Sequence, residues 1–282
     1  LHAPARHGSP CPAMTADKEA KDPEYLSTLE RGLSVLRAFD QHHPEMQLSE
    51  VALATGLNPA VARRCLNTLV KLGYVAQHGR RFLLRPEVLL FSSGYLSSMN
   101  IEQIVLPSLQ ALRDETGDSA SMAILSGADI LYVAHVSTSR RIRLGANVGT
   151  RYPWYATSLG KVLVAFRSDD RQNMLLRAAP FPALTEHTVS TGADMTSRLS
   201  LVRTRGYDSA QDELDYGIVS VALPLFGPNG KSLAAINCST STTRISQDEL
   251  IRTRLPLLRQ AAQEIEASLK RWPALSRSLG ED

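Results

Sequence analysis

Ser158-Leu159-Gly160-Lys161 sets a serine one helical turn ahead of a lysine. In some acyl-transfer enzymes that Ser-x-x-Lys spacing lets an amine take the proton of a nucleophilic hydroxyl. Its partner elements are missing, since neither Ser-Asp-Asn nor Lys-Thr-Gly follows. Lys161 is therefore expected to be a surface or helix-capping cation, and no catalytic residue is assigned. The seven histidines and three cysteines (Cys11, Cys65, Cys238) show neither His-x-x-x-His nor Cys/His clustering, so no metal site and no cofactor is expected. His135 is read as a satisfied core residue ahead of a pocket residue. A different chemistry is offered by "NPAVARRCLNTLVKLGYV", residues 58 to 75. Arg63, Arg64, Asn67 and Lys71 recur at helical spacing, and guanidinium, amide and ammonium donors suit phosphate oxygens and base edges.

The elements that must position these donors can be read around them. "STLERGLSVLRAFD" predicts a helix from Ser27 to about Gln41, with Ser27 and Glu30 at capping-box spacing. "HHPEMQ" breaks the pattern. "LSEVALATG" gives a short second helix, with Val51 and Ala54 inward and Gly56 ending it. Asn58 as N-cap and Pro59 at the first position start a third. At about 100° per residue, Val61, Ala62, Cys65, Leu66, Leu69 and Leu72 share an apolar arc, with Ala60, Arg63, Arg64, Asn67 and Lys71 opposite. "GYVAQHGRRFLL" then reads as a hairpin about His78-Gly79 that carries Arg80 and Arg81. A tight turn before a third helix, followed by a basic hairpin, is the layout of a winged helix-turn-helix.

Bulk properties agree with a DNA-facing N-terminal third. Between Tyr25 and Arg85 there are eight Lys or Arg against four acids, an excess larger than the +3 of all 282 residues. With 43% hydrophobic and 21% charged residues the chain is of ordinary globular composition, long enough for two domains. No apolar run approaches the roughly 20 residues that span a bilayer. With unclustered cysteines this points to a cytoplasmic home. Residues 1–24 are expected to be a disordered tail or added sequence, with Met14 a candidate start. Beyond the winged domain at 25–85, a linker and linker helix (86–117) carry Asn100 as a cap and Pro107 as a kink or split. Strand-prone runs "SASMAILSG", "ADILYVAHVS" and "RRIRLGANVG" read as an antiparallel meander. Helices over "YATSLGKVLVAF" and "MTSRLSLVRTRGY", a hairpin about Pro228-Asn229-Gly230 and a last helix from about Ser246 to Arg271 complete a domain at 118–272, leaving 273–282 as a C-terminal tail. An α+β chain follows.

The blocks "LERGLSVLRAF", "LSEVALATGL", "ARRCLNTLVKLGYV", "VGTRYPWYATSLGKVLVA", "RGYDSAQDELDYGIVSVALPL" and "AAINCST" appear in an order that resembles the isocitrate lyase regulator (IclR) type transcription factors, from Tyr25 to about Leu269. The last blocks look most like the branch that senses protocatechuate or p-hydroxybenzoate. The resemblance implies a GAF-like C-terminal domain that binds a small effector, and homodimers or homotetramers on palindromic double-stranded operator DNA. It also implies effector positions at Ser158, Leu159, Ser220, Asp212 and Cys238. Members that take small keto acids tend to carry Gly-Ala at 158–159, Cys at 220 and Asp at 210, where this chain has Ser158-Leu159, Ser220 and Ala210. That departure tells against pyruvate or glyoxylate, the alternative effectors. Tyr152, Trp154 and Tyr155 instead suit an aromatic ring, while Arg143, Arg151 or the helix start at "TSLGKVL" would take a carboxylate. Either arginine is equally accommodated as an exposed strand or loop residue, and Trp154 and Tyr155 as core. An architectural DNA-binding protein without a ligand would not need the whole of 118–272.

Overall fold

A computed structural model describes residues 24–40, 42–138 and 145–280. They form two compact units that divide after Tyr95. Residues 1–23 of the expected tail and Arg143 lie outside the described residues.

In the N-terminal unit, α1 (Ser27–Arg37), β1 (Glu45–Gln47), α2 (Leu48–Thr55) and α3 (Pro59–Lys71) precede the hairpin of β2 (Val75–His78) and β3 (Arg81–Leu84). Val35, Met46, Val51, Leu66, Leu69 and Phe82 meet in its core. The turn between α2 and α3 follows from sequence: Gly56 adopts the left-handed conformation (φ 66°) that ends α2. Asn58 Oδ1 then accepts the Ala60 N–H at 2.9 Å to start α3.

Several local expectations are corrected. Ser27 and Glu30 form no capping box, because α1 begins one residue earlier, with Leu26 at the cap. The box is on α2, where the Gln47 N–H donates to Glu50 Oε2 at 2.6 Å. α1 stops at Arg37, and Asp40 Oδ1 accepts the N–H groups of His42 and His43, both at 2.8 Å, to turn the chain. The expected break at "HHPEMQ" contains β1, which pairs with β3 in the order β1-β3-β2 because Met46 inserts into the core. On α2 it is Ala52, not Ala54, that is buried with Val51. Leu72 caps α3 and stays 62% exposed.

α4 (Leu89–Ser98) crosses the division between the units. The C-terminal unit continues with α5 (Ile101–Ile104) and α6 (Leu106–Thr116), split where Pro107, in the first turn of α6, lacks an N–H to continue the ladder. Asn100 is in the left-handed region (φ 53°) and makes no side-chain cap, contrary to expectation. Next come β4 (Ser119–Ser126), β5 (Asp129–Val136), β6 (Arg151–Pro153), α7 (Ser158–Ala165), α8 (Asp169–Leu176), α9 (Gly192–Arg205), β7 (Asp208–Gln211), β8 (Ile218–Phe226), β9 (Ser232–Ser241), α10 (Gln247–Arg271) and α11 (Pro273–Leu279). The strands form one antiparallel sheet in the order β6-β5-β4-β9-β8-β7. The run "RRIRLGANVG" adds no strand among its described residues, 145 to 149.

Because successive residues of a strand point to opposite faces, the sheet is a divider. α7 and α9 pack on one face with Ala123, Leu125, Tyr132, Ala222 and Ala235. α6 and α10 pack against the sheet from the other side, where Cys238 meets Thr116. Residues 273–280 of the segment read as a C-terminal tail are also folded. Pro273 starts α11, and Leu275 and Leu279, four residues apart on one side, are buried against its neighbours.

Candidate functional site

In the N-terminal unit α3 presents Ala60, Arg63, Arg64, Asn67 and Lys71 as one exposed face, while Ala62, Cys65, Leu66 and Leu69 are buried behind it. A short residue near the helix start allows close approach to an anionic surface, and the longer donors follow. Arg80 is exposed in the two-residue turn between β2 and β3, where Gly79 takes φ 59°. Arg81 is placed differently. It opposes Gln47 on β1, lies 3.6 Å from Glu45 and 4.0 Å from Glu50, and donates to the Glu45 carbonyl. At 42% exposure those ion pairs are weak, yet they draw the guanidinium toward the body of the unit. Sequence reasoning missed this because Glu45 fell in a segment read as a break.

In the C-terminal unit the start of α7 faces the centre of the sheet. Thr157 Oγ1 caps the helix by accepting the Gly160 N–H at 3.0 Å. The N–H groups of Ser158 and Leu159, in the first turn, have no helical carbonyl to donate to. Gly160 lets the helix sit directly on the turn Trp154–Ala156: a Cβ there would lie 2.1 Å from the Trp154 carbonyl oxygen and 2.5 Å from its Cα. Ser158 Oγ and Ser220 Oγ share a hydrogen bond of 2.8 Å, tying α7 to β8. Around them is a cleft of about 360 Å³, part of it open to solvent. Ser158, Leu159 and Ser220, positions that the resemblance named, line it together with Ala210, Tyr132, Glu213, Asn237 and Ser239. Burial pushes the Tyr132 phenol far up from its ordinary value, so it stays a neutral hydroxyl. Asn237 Oδ1 is buried without a hydrogen-bond partner among the described residues, which marks an acceptor waiting for a donor.

Lys161 is the largest surprise. Expected at the surface, it is completely buried, with Nζ 2.5 Å from Glu213 Oε2 and 3.5 Å from Asp208 Oδ2. Arg198 and Arg205 hold the other oxygen of Asp208 at 2.7 and 2.8 Å. Such burial is tolerable only because every charge has a counter-charge.

Other expected effector residues do not reach the cleft. Trp154 packs edge-on against Phe181, with centroids 5.4 Å apart, and Tyr155 stacks on the same ring at 4.7 Å, so both belong to the core. Tyr152 stands edge-to-face behind Tyr132 at 5.9 Å. Asp212 shapes a turn: it has φ 56°, and its Oδ1 accepts the Gly217 N–H at 2.6 Å. Cys238 points to the opposite face of β9 from Asn237 and Ser239, where burial and then Asp118 push its thiol up to about 12. Arg151 is engaged by Asp129 at 3.3 Å and by Ser126. His135 is satisfied, its two ring nitrogens 2.9 Å from Ser121 Oγ and Ser137 Oγ. Tyr132, Asn237 and Ser239 went unread, although the pairing of Ser220 with Ser239 would have led from one to the next by period-two alternation.

Residues 28–79 match the IclR helix-turn-helix domain, and residues 93–267 match the family described as bacterial transcriptional regulator IclR C-terminal. The Pca regulon regulatory protein of Pseudomonas putida is 34% identical over 255 residues, covering 90% of this chain and 88% of that protein. The p-hydroxybenzoate hydroxylase transcriptional activator of Acinetobacter baylyi is 31% identical over 255 residues, covering 89% and 94%. An IclR homolog of Microbacterium hydrocarbonoxydans, solved in complex with 4-hydroxybenzoate, shares the fold with a TM-score of 0.73 at 20% identity, covering 86% and 99%. The two family matches span the winged helix-turn-helix and the unit that holds the cleft, and the chain belongs to the IclR family of transcriptional regulators.

Proposed function

We propose that this regulator controls an aromatic-acid catabolic operon in the cytoplasm and that its effector is a small hydroxylated benzoate bound in the cleft at the start of α7. The observation that carries the reading is the cleft itself. It has an aromatic wall at Tyr132, two first-turn N–H groups without a helical carbonyl and the Ser158–Ser220 hydroxyl pair, and at 158–159, 210 and 220 it departs from the residues that keto-acid members tend to carry. The first turn of α7 receives the carboxylate, because its N–H groups and positive dipole end favour an anion. The similarity to regulators named for the Pca regulon and for p-hydroxybenzoate hydroxylase supports the same class of effector.

The DNA-contacting residues are Ala60, Arg63, Arg64, Asn67 and Lys71 on α3, with Arg80 and Arg81 on the wing. The protein acts as a homodimer or homotetramer on a palindromic operator, and effector binding shifts the assembly between arrangements of different operator affinity. It turns over no substrate: Lys161, the base that Ser-x-x-Lys chemistry would need, is buried on Glu213.

Thermal-shift titration with p-hydroxybenzoate, protocatechuate, benzoate, pyruvate and glyoxylate tests the reading, since a ligand of the folded state raises Tm by an amount that grows with the logarithm of its concentration over Kd. A saturable rise with a hydroxylated benzoate is expected. A rise with pyruvate or glyoxylate alone would transfer the protein to the keto-acid class.

A further inference from the structure

The two acids beside the buried Lys161 have unequal partner counts. Asp208 receives Arg198, Arg205 and Lys161. Glu213 receives only Lys161: its Oε2 accepts from Nζ, and among the described residues Oε1 accepts from nothing. Glu213 is 7% exposed and lines the cleft with Tyr132, Ser158 and Asn237. The pair is anchored from both sides. Lys161 lies one helical turn beyond Ser158 on α7, and Thr188 Oγ1 donates to the Glu213 carbonyl at 2.7 Å. A carboxylate fixed this way has lost most of its water and has one oxygen left to pair.

We infer that Glu213, held by Lys161, is the effector-specificity residue of the cleft: it accepts a hydrogen bond from the ring hydroxyl of the bound benzoate, while the carboxylate of that ligand lies at the first turn of α7. The inference rests on the aromatic-effector reading above. The polarity follows from charge. An effector carboxylate placed at Glu213 would set two anions side by side in a water-poor site, whereas a phenol O–H donates to an anionic oxygen in a short, charge-assisted bond. Lys161 neutralises Glu213 without occupying Oε1, so the acidic wall does not repel an anionic ligand as a whole. A ligand that lacks the donor leaves a desolvated carboxylate oxygen unpaired, which is how a polar pocket rejects near-isosteric molecules.

The experiment measures Kd by isothermal titration calorimetry on the full-length protein for benzoate, 4-fluorobenzoate, 4-aminobenzoate and 4-hydroxybenzoate, with wild type and E213Q. Wild type is expected to bind 4-hydroxybenzoate at least about tenfold more tightly than benzoate or 4-fluorobenzoate, the worth of one hydrogen bond to a charged acceptor. 4-Aminobenzoate, which keeps a donor, is expected to fall between. In E213Q the benzoate to 4-hydroxybenzoate Kd ratio is expected to collapse to within about threefold of unity. A merely structural role would weaken all four ligands alike and leave the ratio standing, which overturns the inference. Should E213Q not fold, wild type still decides: 4-fluorobenzoate binding as well as 4-hydroxybenzoate overturns it. If wild type binds neither protocatechuate nor any of the four, the effector reading fails and this inference with it. If they bind without discrimination, the inference alone is lost.

Discussion

Replacing Lys161 by Met removes one charge from a place water does not reach. Lys161 is wholly buried and Glu213 is 7% exposed, with 2.5 Å between the charged atoms. In the variant Asp208 keeps Arg198 and Arg205, whereas among the described residues Glu213 keeps no counter-charge. Removing one partner of a buried pair costs about 3–5 kcal/mol, because the remaining ion is left desolvated and alone. In a unit of this size each kcal/mol moves Tm by roughly 2–4 °C, so Lys161→Met should melt the C-terminal unit roughly 6–20 °C lower. The double variant Lys161→Met, Glu213→Leu removes the orphan and should recover at least half of the loss, since apolar side chains often replace buried ion pairs at little cost. Scanning calorimetry of wild type and both variants at one protein concentration and pH supplies the comparison. A loss below about 1 kcal/mol, the scale of an exposed pair, or a double variant no better than the single, would refute the reasoning.

Gly160→Ala should lose the native C-terminal unit: the new Cβ meets backbone of Trp154 at 2.1 to 2.6 Å, beyond the flexible-side-chain adjustments that hold overpacking to about 1–3 kcal/mol, and soluble yield with near-UV circular dichroism will show it. Arg80→Ala should weaken cognate and scrambled DNA alike and lower the salt slope by about one, whereas Asn67→Ala should alter preference among operator variants; fluorescence anisotropy over a salt series separates them, and equal loss on all sequences for Asn67→Ala counts against base reading. With its pKa raised to about 12, Cys238 carries thiolate at only about 10⁻⁴ at pH 8, so iodoacetamide should label its peptide in urea and leave it unlabelled in native protein.

What was legible in the sequence had a local cause. The α2–α3 turn was readable because Gly56, Asn58 and Pro59 each do one thing to the backbone at a fixed offset. The exposed arc of α3 followed from helical period alone. β1 was not readable: three residues, one of them buried, owe their strand to β3, some 35 positions away. The resemblance to the family led to Ser158, Leu159 and Ser220, which line the cleft, yet it also carried Asp212 and Cys238, which do not. Residue type alone cannot separate these. Which face of β9 looks at the cleft is a matter of register, and a one-residue step sends Cys238 to the far side while Asn237 looks in. Trp154 and Tyr155 failed for a related reason, as aromatic bulk serves a core as readily as a ligand. Lys161 was misplaced because both acids that permit its burial lie about fifty residues downstream.

Gly160 separates what holds the cleft from what decorates it. The approach of α7 to the Trp154–Ala156 turn is fixed by contact between main chains, whereas Ser158, Leu159, Ser220 and Asn237 project from that frame as replaceable side chains. An engineer who wanted a reporter for a different aromatic acid would therefore randomise those four positions, add Glu213 where the ring substituent changes, and leave 160 untouched, so that new ligand preferences are sampled on an unmoved scaffold.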